Sequence, residues 1–153
     1  MIIEYPDGSV YEGDVKDGKK DGFGVLKENS GEVYCGSFKE DVKEGFGVQY
    51  QTNGITVSGI FKNDELEDHG YLEKDGQKYL GDFKDGYNEG LAYIIMPDGI
   101  KYTGEFSNGD LNGCGVLFSE ESGKVAGEFE NAALNGVGIQ MTSDGINAVG
   151  QFK

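Results

Sequence analysis

Residues 102–115 read Tyr102-Thr-Gly-Glu-Phe106-Ser-Asn-Gly-Asp-Leu-Asn-Gly113-Cys-Gly115. Tyr102 to Phe106 alternates with period two, the signature of a strand with two different faces. Ser107-Asn108-Gly109-Asp110 is a polar turn, and a second strand runs on from Gly113 to about Phe118. The stretch is a β-hairpin.

The same hairpin recurs along the chain. The glycine of the first strand returns as Gly13, Gly36, Gly59, Gly81, Gly104, Gly127 and Gly150, in steps of 23, 23, 22, 23, 23 and 23 residues. Nine residues on stand Gly22, Gly45, Asp68, Gly90, Gly113 and Gly136, and two further Gly24, Gly47, Gly70, Ala92, Gly115 and Gly138. Before the first glycine comes Tyr11, Tyr34, Val57, Tyr79, Tyr102, Val125 or Ala148; after it Val15, Phe38, Phe61, Phe83, Phe106, Phe129 or Phe152. Units are joined by further glycine turns: Asp7-Gly8, Ser30-Gly31, Asn53-Gly54, Asp75-Gly76, Asp98-Gly99, Ser122-Gly123 and Asp144-Gly145. Such pairs supply the positive φ of a tight turn. Internal repetition of this length means an array of supersecondary units, here six full repeats and a terminal half repeat over residues 1–153. The hairpin turns are expected near 17–20, 40–43, 63–66, 85–88, 108–111 and 131–134, and no helix has a place.

This pattern resembles the MORN (membrane occupation and recognition nexus) repeat, Tyr-x-Gly-x-(Trp/Phe)-x-x-Gly-x-x-x-Gly-x-Gly, and Tyr102 to Gly115 fits every position. Val57, Asp64 and Asp68 in the third copy, and Ala126 and Ala132 in the sixth, depart from it. The resemblance implies an all-β fold, a single-layer, elongated antiparallel β-meander of MORN-type hairpins. It also implies a protein-interaction platform in a cytoskeletal, ciliary or cortical assembly of the cytoplasm. The family name implies lipid binding as an alternative, and similar repeats also precede the catalytic domains of larger enzymes.

Faces follow from alternation. Tyr102, Gly104 and Phe106 share one face of their strand; Cys114, Val116 and Phe118 share one face of theirs. Joining these sets gives one apolar face, with Phe23, Phe46, His69, Leu91 and Val137 at the position of Cys114. The alternative register sets the glycines beneath the aromatics and divides the apolar residues between faces, a choice that one residue of slip decides. On the first register the candidate partner-binding strip is Tyr11, Phe23, Tyr34, Phe38, Phe46, Phe61, Tyr79, Phe83, Tyr102 and Phe106. It is flanked by Glu12, Asp14, Asp82 and Glu105.

Composition narrows the function. The chain has 28 acidic and 13 basic residues, a net charge of −15. That suits neither nucleic acid, whose affinity comes from Lys and Arg on phosphates, nor an anionic membrane. A basic or amphipathic segment of a protein partner is the natural complement, while an acidic surface also simply keeps a thin sheet soluble. No apolar run has the length of a membrane-spanning helix, and Met1-Ile-Ile-Glu-Tyr5 lacks the basic and apolar regions of a signal peptide. A cytoplasmic protein is expected.

No constellation for catalysis is legible, and no cofactor or metal site. His69 is the single histidine, in an acidic stretch that reads as a solvated turn. The acidic turns lack the ligand spacing of an EF-hand, and the glycines open no helix that would cradle phosphate. Cys35 and Cys114 fall about seven strands apart, ~34 Å at the usual spacing, too far for a disulfide. The first strand candidate, Ile2 to Tyr5, and the last, Ala148 to Phe152, remain on the apolar pattern with no polar cap. Open edge strands invite pairing, so the edges are expected to be covered by a partner, by self-association or by further sequence.

Overall fold

The computed structural model describes residues 1–142 and 144–153. It is built of antiparallel strands, and among the described residues there is no helix. The chain divides into two compact units, Met1–Asp75 and Gly76–Lys153.

The first unit contains β1 (Ile2–Glu4), β2 (Val10–Lys16), β3 (Lys19–Lys27), β4 (Val33–Lys39), β5 (Val42–Tyr50), β6 (Thr56–Lys62) and β7 (Glu65–Lys74). Each strand pairs with the next, so the unit is a seven-stranded meander. The second unit repeats the plan with β8 (Gln77–Lys84), β9 (Tyr87–Ile95), β10 (Lys101–Ser107), β11 (Asp110–Ser119), β12 (Gly123–Glu130), β13 (Ala133–Thr142) and β14 (Gly145–Phe152).

The hairpins turn where the sequence places them. Both central residues of each turn have positive φ: Asp17 and Gly18, Glu40 and Asp41, Asn63 and Asp64, Asp85 and Gly86, Asn108 and Gly109, Asn131 and Ala132. These are the primed turns whose twist matches that of the flanking strands. Successive turns are stapled together. Asp41 N–H donates to the Lys20 carbonyl at 2.9 Å, and Ala132 N–H does the same to Leu111 at 2.9 Å. Side chains add a second rung: Glu44 accepts from the Asn63 N–H (3.2 Å), and Glu89 from Asn108 (3.1 Å). Each repeat is thus held by its neighbour, as a repeat without a private core requires.

The register is not the one that joins all apolar residues on one face. Gly13 pairs with Gly24 and Tyr11 with Leu26, while Glu12 pairs with Val25. The glycines therefore lie under the aromatics, and Phe23 and Val25 face the other way. This corrects the expectation of a single apolar strip. Its cause is the two-residue turn, which pairs Ser107 with Asp110 and Phe106 with Leu111. A bulge then adds two residues to the second strand, so that Gly104 pairs with Gly115, and an even number leaves the faces unchanged. The extra residues contain Gly113 at φ +88°, a bend for which glycine is suited.

The first face is closed by its own side chains. Tyr11, Tyr34, Phe38, Phe61, Tyr79, Phe83, Phe106 and Phe129 are all buried. Their rings meet edge to face, Tyr11–Phe38 at 5.4 Å, Tyr34–Phe38 at 5.0 Å and Tyr34–Phe61 at 5.1 Å in the first unit, and Tyr79–Phe83 at 4.9 Å in the second. That geometry adds to the gain from burial.

Two versions of the repeat fill this face. In the first and second copies the tyrosine ring lies over the paired glycines, and in these and the fourth, where Gly81 pairs with Ala92, its hydroxyl donates to a backbone carbonyl three residues on. The bonds are Tyr11 to Asp14 (2.8 Å), Tyr34 to Ser37 (3.1 Å) and Tyr79 to Asp82 (2.9 Å). In the third, fifth and sixth copies Leu66, Leu111 and Leu134 press on Gly70, Gly115 and Gly138 instead. Leucine in that place accompanies valine at 57 and 125, and in the fifth copy it leaves Tyr102 half-buried.

Candidate interaction surface

The opposite face of each unit is open. Phe23 (58% exposed), Phe46 (61%) and Leu91 (64%) stand on it, with no layer packed above them. The proposed strip is thereby divided. Tyr11, Tyr34, Phe38, Phe61, Tyr79, Phe83 and Phe106 form the ring ladder of the closed face and Tyr102 is half-buried beside it, whereas Phe23 and Phe46 lie on the open face.

The flanking acids belong to the open face as well, and some have structural work. Glu12 is the cross-strand partner of both Ile2 and Val25. Asp14 accepts a hydrogen bond from the Phe23 N–H at 3.0 Å, and Asp82 from the Leu91 N–H at 3.0 Å. Glu105 lies against Gly113. These carboxylates cover the bulge, where the bent backbone leaves an N–H without a strand partner, so their spacing partly serves the fold. The repeated glycines likewise divide into two jobs. Gly13, Gly24, Gly36, Gly47, Gly59, Gly81, Gly104, Gly115, Gly127 and Gly138 allow close approach of backbone and ring or leucine. Gly22, Gly45, Gly90, Gly113 and Gly136 carry the positive φ of the bulge.

In the second unit the open face is ordered into three rows that run across the strands. The middle row is Leu80, Tyr93, Thr103, Val116, Ala126 and Ile139, each the cross-strand partner of the next. Toward the links between repeats runs a row of Lys78, Ile95, Lys101, Phe118, Lys124 and Met141. Toward the hairpin turns, Leu91 pairs with Glu105 and Cys114 with Glu128. Two shallow clefts open here. One of about 290 Å³ has Tyr93, Lys101, Val116, Phe118 and Lys124 in its walls, and one of about 590 Å³ has Thr103, Cys114, Val116, Glu128 and Val137.

The lysine row was not among the candidate residues, although its signal was in the sequence. Lys78, Lys101 and Lys124 recur at the repeat's own step of 23. Both Lys101 and Lys124 place their ammonium groups near the Phe118 ring, 5.6 and 5.7 Å from its centroid, within range of cation–π attraction.

The MORN repeat model matches residues 11–32, 34–56 and 102–120. The chain carries MORN repeats. The matched copies are the three that keep tyrosine and all three glycines; the copies with Val57, Ala92 or Val125 keep the hairpin while changing the tyrosine or one of the glycines. Among curated proteins none matches the chain in sequence. A solved structure of similar fold is the SAS-4 (dCPAP) TCP domain of Drosophila melanogaster in complex with a proline-rich motif of Ana2 (dSTIL). It is 15% identical, with 99% of this chain and 83% of that chain covered and a TM-score of 0.61. MORN repeats on such a sheet point to a protein- or membrane-binding module rather than a catalytic centre.

Proposed function

We propose that the chain is a non-catalytic protein-interaction scaffold of a cytoplasmic, cytoskeletal, ciliary or cortical assembly, and that its open face takes a basic or amphipathic segment of the partner. One observation carries this reading. The ring ladder is consumed in packing, whereas Phe23, Phe46 and Leu91 remain more than half exposed. Large apolar side chains left on an open sheet face normally mark an interaction site. The net charge of −15 favours a partner segment with basic residues. The complex of the SAS-4 domain with a proline-rich motif supports a peptide ligand for a sheet of this type.

Capture from the native cell, followed by mass spectrometry, tests it with the whole chain and with Phe46→Ser and Leu91→Ser as baits. A partner retained by the parent and lost from at least one variant, both folded by circular dichroism, is the expected result. Partners retained equally by both variants would sink the assignment of the open face. Pelleting with phosphoinositide liposomes at low salt, if strong and indifferent to these substitutions, would favour a membrane module instead.

A further inference from the structure

The three rows on the second unit's open face specify more than an apolar patch. Lysines of one row recur on every second strand, at β8, β10 and β12. At ~4.8 Å between strands their spacing is ~9.6 Å, and Lys78 and Lys124 lie ~19 Å apart. The acids Asp82, Glu105 and Glu128 recur on the same strands, four residues further along each. That is ~13 Å away at ~3.3 Å per residue, with the apolar row midway between.

A ligand in step with this grid needs a repeat of ~9.6 Å and three kinds of side. A polyproline II helix has three residues per turn and rises ~3.1 Å per residue, so its turn is ~9.3 Å and two turns are ~18.6 Å. An α-helix at ~1.5 Å per residue comes back into phase only after seven residues, ~10.5 Å, and has drifted by ~2 Å over the lysine row. A β-strand alternates sides every residue and cannot present a like side chain every three. The polyproline II pitch is the one that stays in register. Its three faces then have three destinations: the apolar row beneath, the lysines on one flank and the acids on the other.

The lysine flank remains available for this, and so does Glu128 on the acidic flank. Lys78 and Lys124 are exposed and Lys101 half-buried, and among the described residues none of the three forms an ion pair. Glu128 accepts from the Val137 N–H at 3.3 Å, which holds its carboxylate at the surface without neutralising it.

We infer that the open face of Gly76–Lys153 binds a polyproline II segment of a protein partner, laid across the strands, in which apolar, basic and acidic residues repeat every third position. This rests on the open face being the binding surface and adds the conformation and sequence period of what it binds.

Fluorescence anisotropy with labelled twelve-residue peptides and the whole chain tests it. The probes are (Pro-Lys-Asp)4 and a scrambled peptide of the same composition without the three-residue period. The periodic peptide should bind at least ten times more tightly than the scrambled one. Lys101→Glu with Lys124→Glu should weaken it at least tenfold, and (Pro-Lys-Lys)4 should recover binding to that double variant. Both substituted sites are on the surface, and circular dichroism verifies the fold. Equal binding of periodic and scrambled peptides, or no effect of the double substitution, overturns the inference. If a cellular partner is still lost on Leu91→Ser while the periodic peptide does not bind, the inference falls and the open face stands as the interaction surface.

Discussion

The ring of Tyr34 lies over Gly47, so close that a Cβ built on that glycine would stand 2.5 Å from Tyr34 Cζ. No real Cβ tolerates such an approach, and a ring that is both buried and tied by its hydroxyl to the Ser37 carbonyl has little room to move. Gly115 is different. Its nearest neighbour is Leu111 Cδ1 at 3.0 Å, the end of a flexible side chain. Gly47→Ala should therefore cost about 1–3 kcal/mol, the range of overpacking. Gly115→Ala should cost about 0.5–1.5 kcal/mol, the expense of an off-rotamer leucine. Urea denaturation of the two variants measures the difference, and equal losses would contradict the division into tyrosine and leucine repeats.

The tyrosine repeats also predict a response to alkali. Burial pushes the Tyr34 hydroxyl up from the usual 10 to about 12, and burial raises Tyr11 and Tyr79 in the same direction. The folded state thus resists losing this proton more than the unfolded chain does. The contribution is complete below the unfolded value near pH 10 and is lost as pH rises from there through about 12. Tyr34→Phe should lower stability by about 1 kcal/mol at pH 8 through the lost hydrogen bond, yet decline less between pH 10 and 12. Denaturant midpoints of parent and variant across that window check it; parallel curves would show that the hydroxyl does not titrate as its burial requires.

Packing and binding can be separated by substituting one aromatic from each face. Phe38 is wedged between Tyr11 and Tyr34, with ring centroids at 5.4 and 5.0 Å, so Phe38→Ala should cost about 3–5 kcal/mol. Phe46 is on the open face, and Phe46→Ala should change stability by no more than about 0.5 kcal/mol. Thermal or chemical unfolding reads both. A large loss at Phe46 would mean that something packs on it within the chain.

The part of this fold that was legible in the sequence is the part that backbone chemistry dictates. Glycine spacing located the hairpins because a two-residue primed turn demands positive φ, and Asp17-Gly18, Asp85-Gly86 and Asn108-Gly109 supply it directly. The register was not legible from alternation within one strand, because it is set across the turn. The two-residue turn pairs Lys16 with Lys19 and Ser107 with Asp110, and the bulge at Gly22 or Gly113 then adds two residues to one strand without changing the faces. That pairing across the turn puts Phe23 and Phe46 on the open face, away from the ring ladder. A compensating signal was present all the same. Leu66, Leu111 and Leu134 stand where the tyrosine repeats have Lys20, Lys43 and Asn88, and two of the three leucines accompany the loss of the tyrosine. Tyr102, in the copy closest to the family pattern, is the instructive exception: it matches the consensus residue by residue, yet Leu111 takes the place over the glycine.

The last hairpin turn offers a gain in stability. Ala132 occupies the second turn position at φ +64°, a left-handed conformation that costs a residue with a Cβ roughly 1–2 kcal/mol. Asp41 and Asp64 hold the equivalent position at φ 75° and 70°, but each compensates. The Asp41 carboxylate accepts from the Lys20 N–H at 2.9 Å and that of Asp64 from the Lys43 N–H at 2.8 Å. Alanine has no such bond to offer, and its backbone N–H, already donated to Leu111, is unaffected by a change of side chain. Ala132→Gly should therefore stabilise the chain by about 1 kcal/mol, the relief of the left-handed strain less the added freedom of glycine in the unfolded state. Asp41→Gly relieves similar strain but removes a charge-assisted hydrogen bond of about 1.5–3 kcal/mol, so it should be neutral or destabilising. Denaturant midpoints of the two variants, measured side by side, decide it: a gain at both positions would show that the carboxylate bonds contribute nothing, and a loss at Ala132 would show that its turn is not strained.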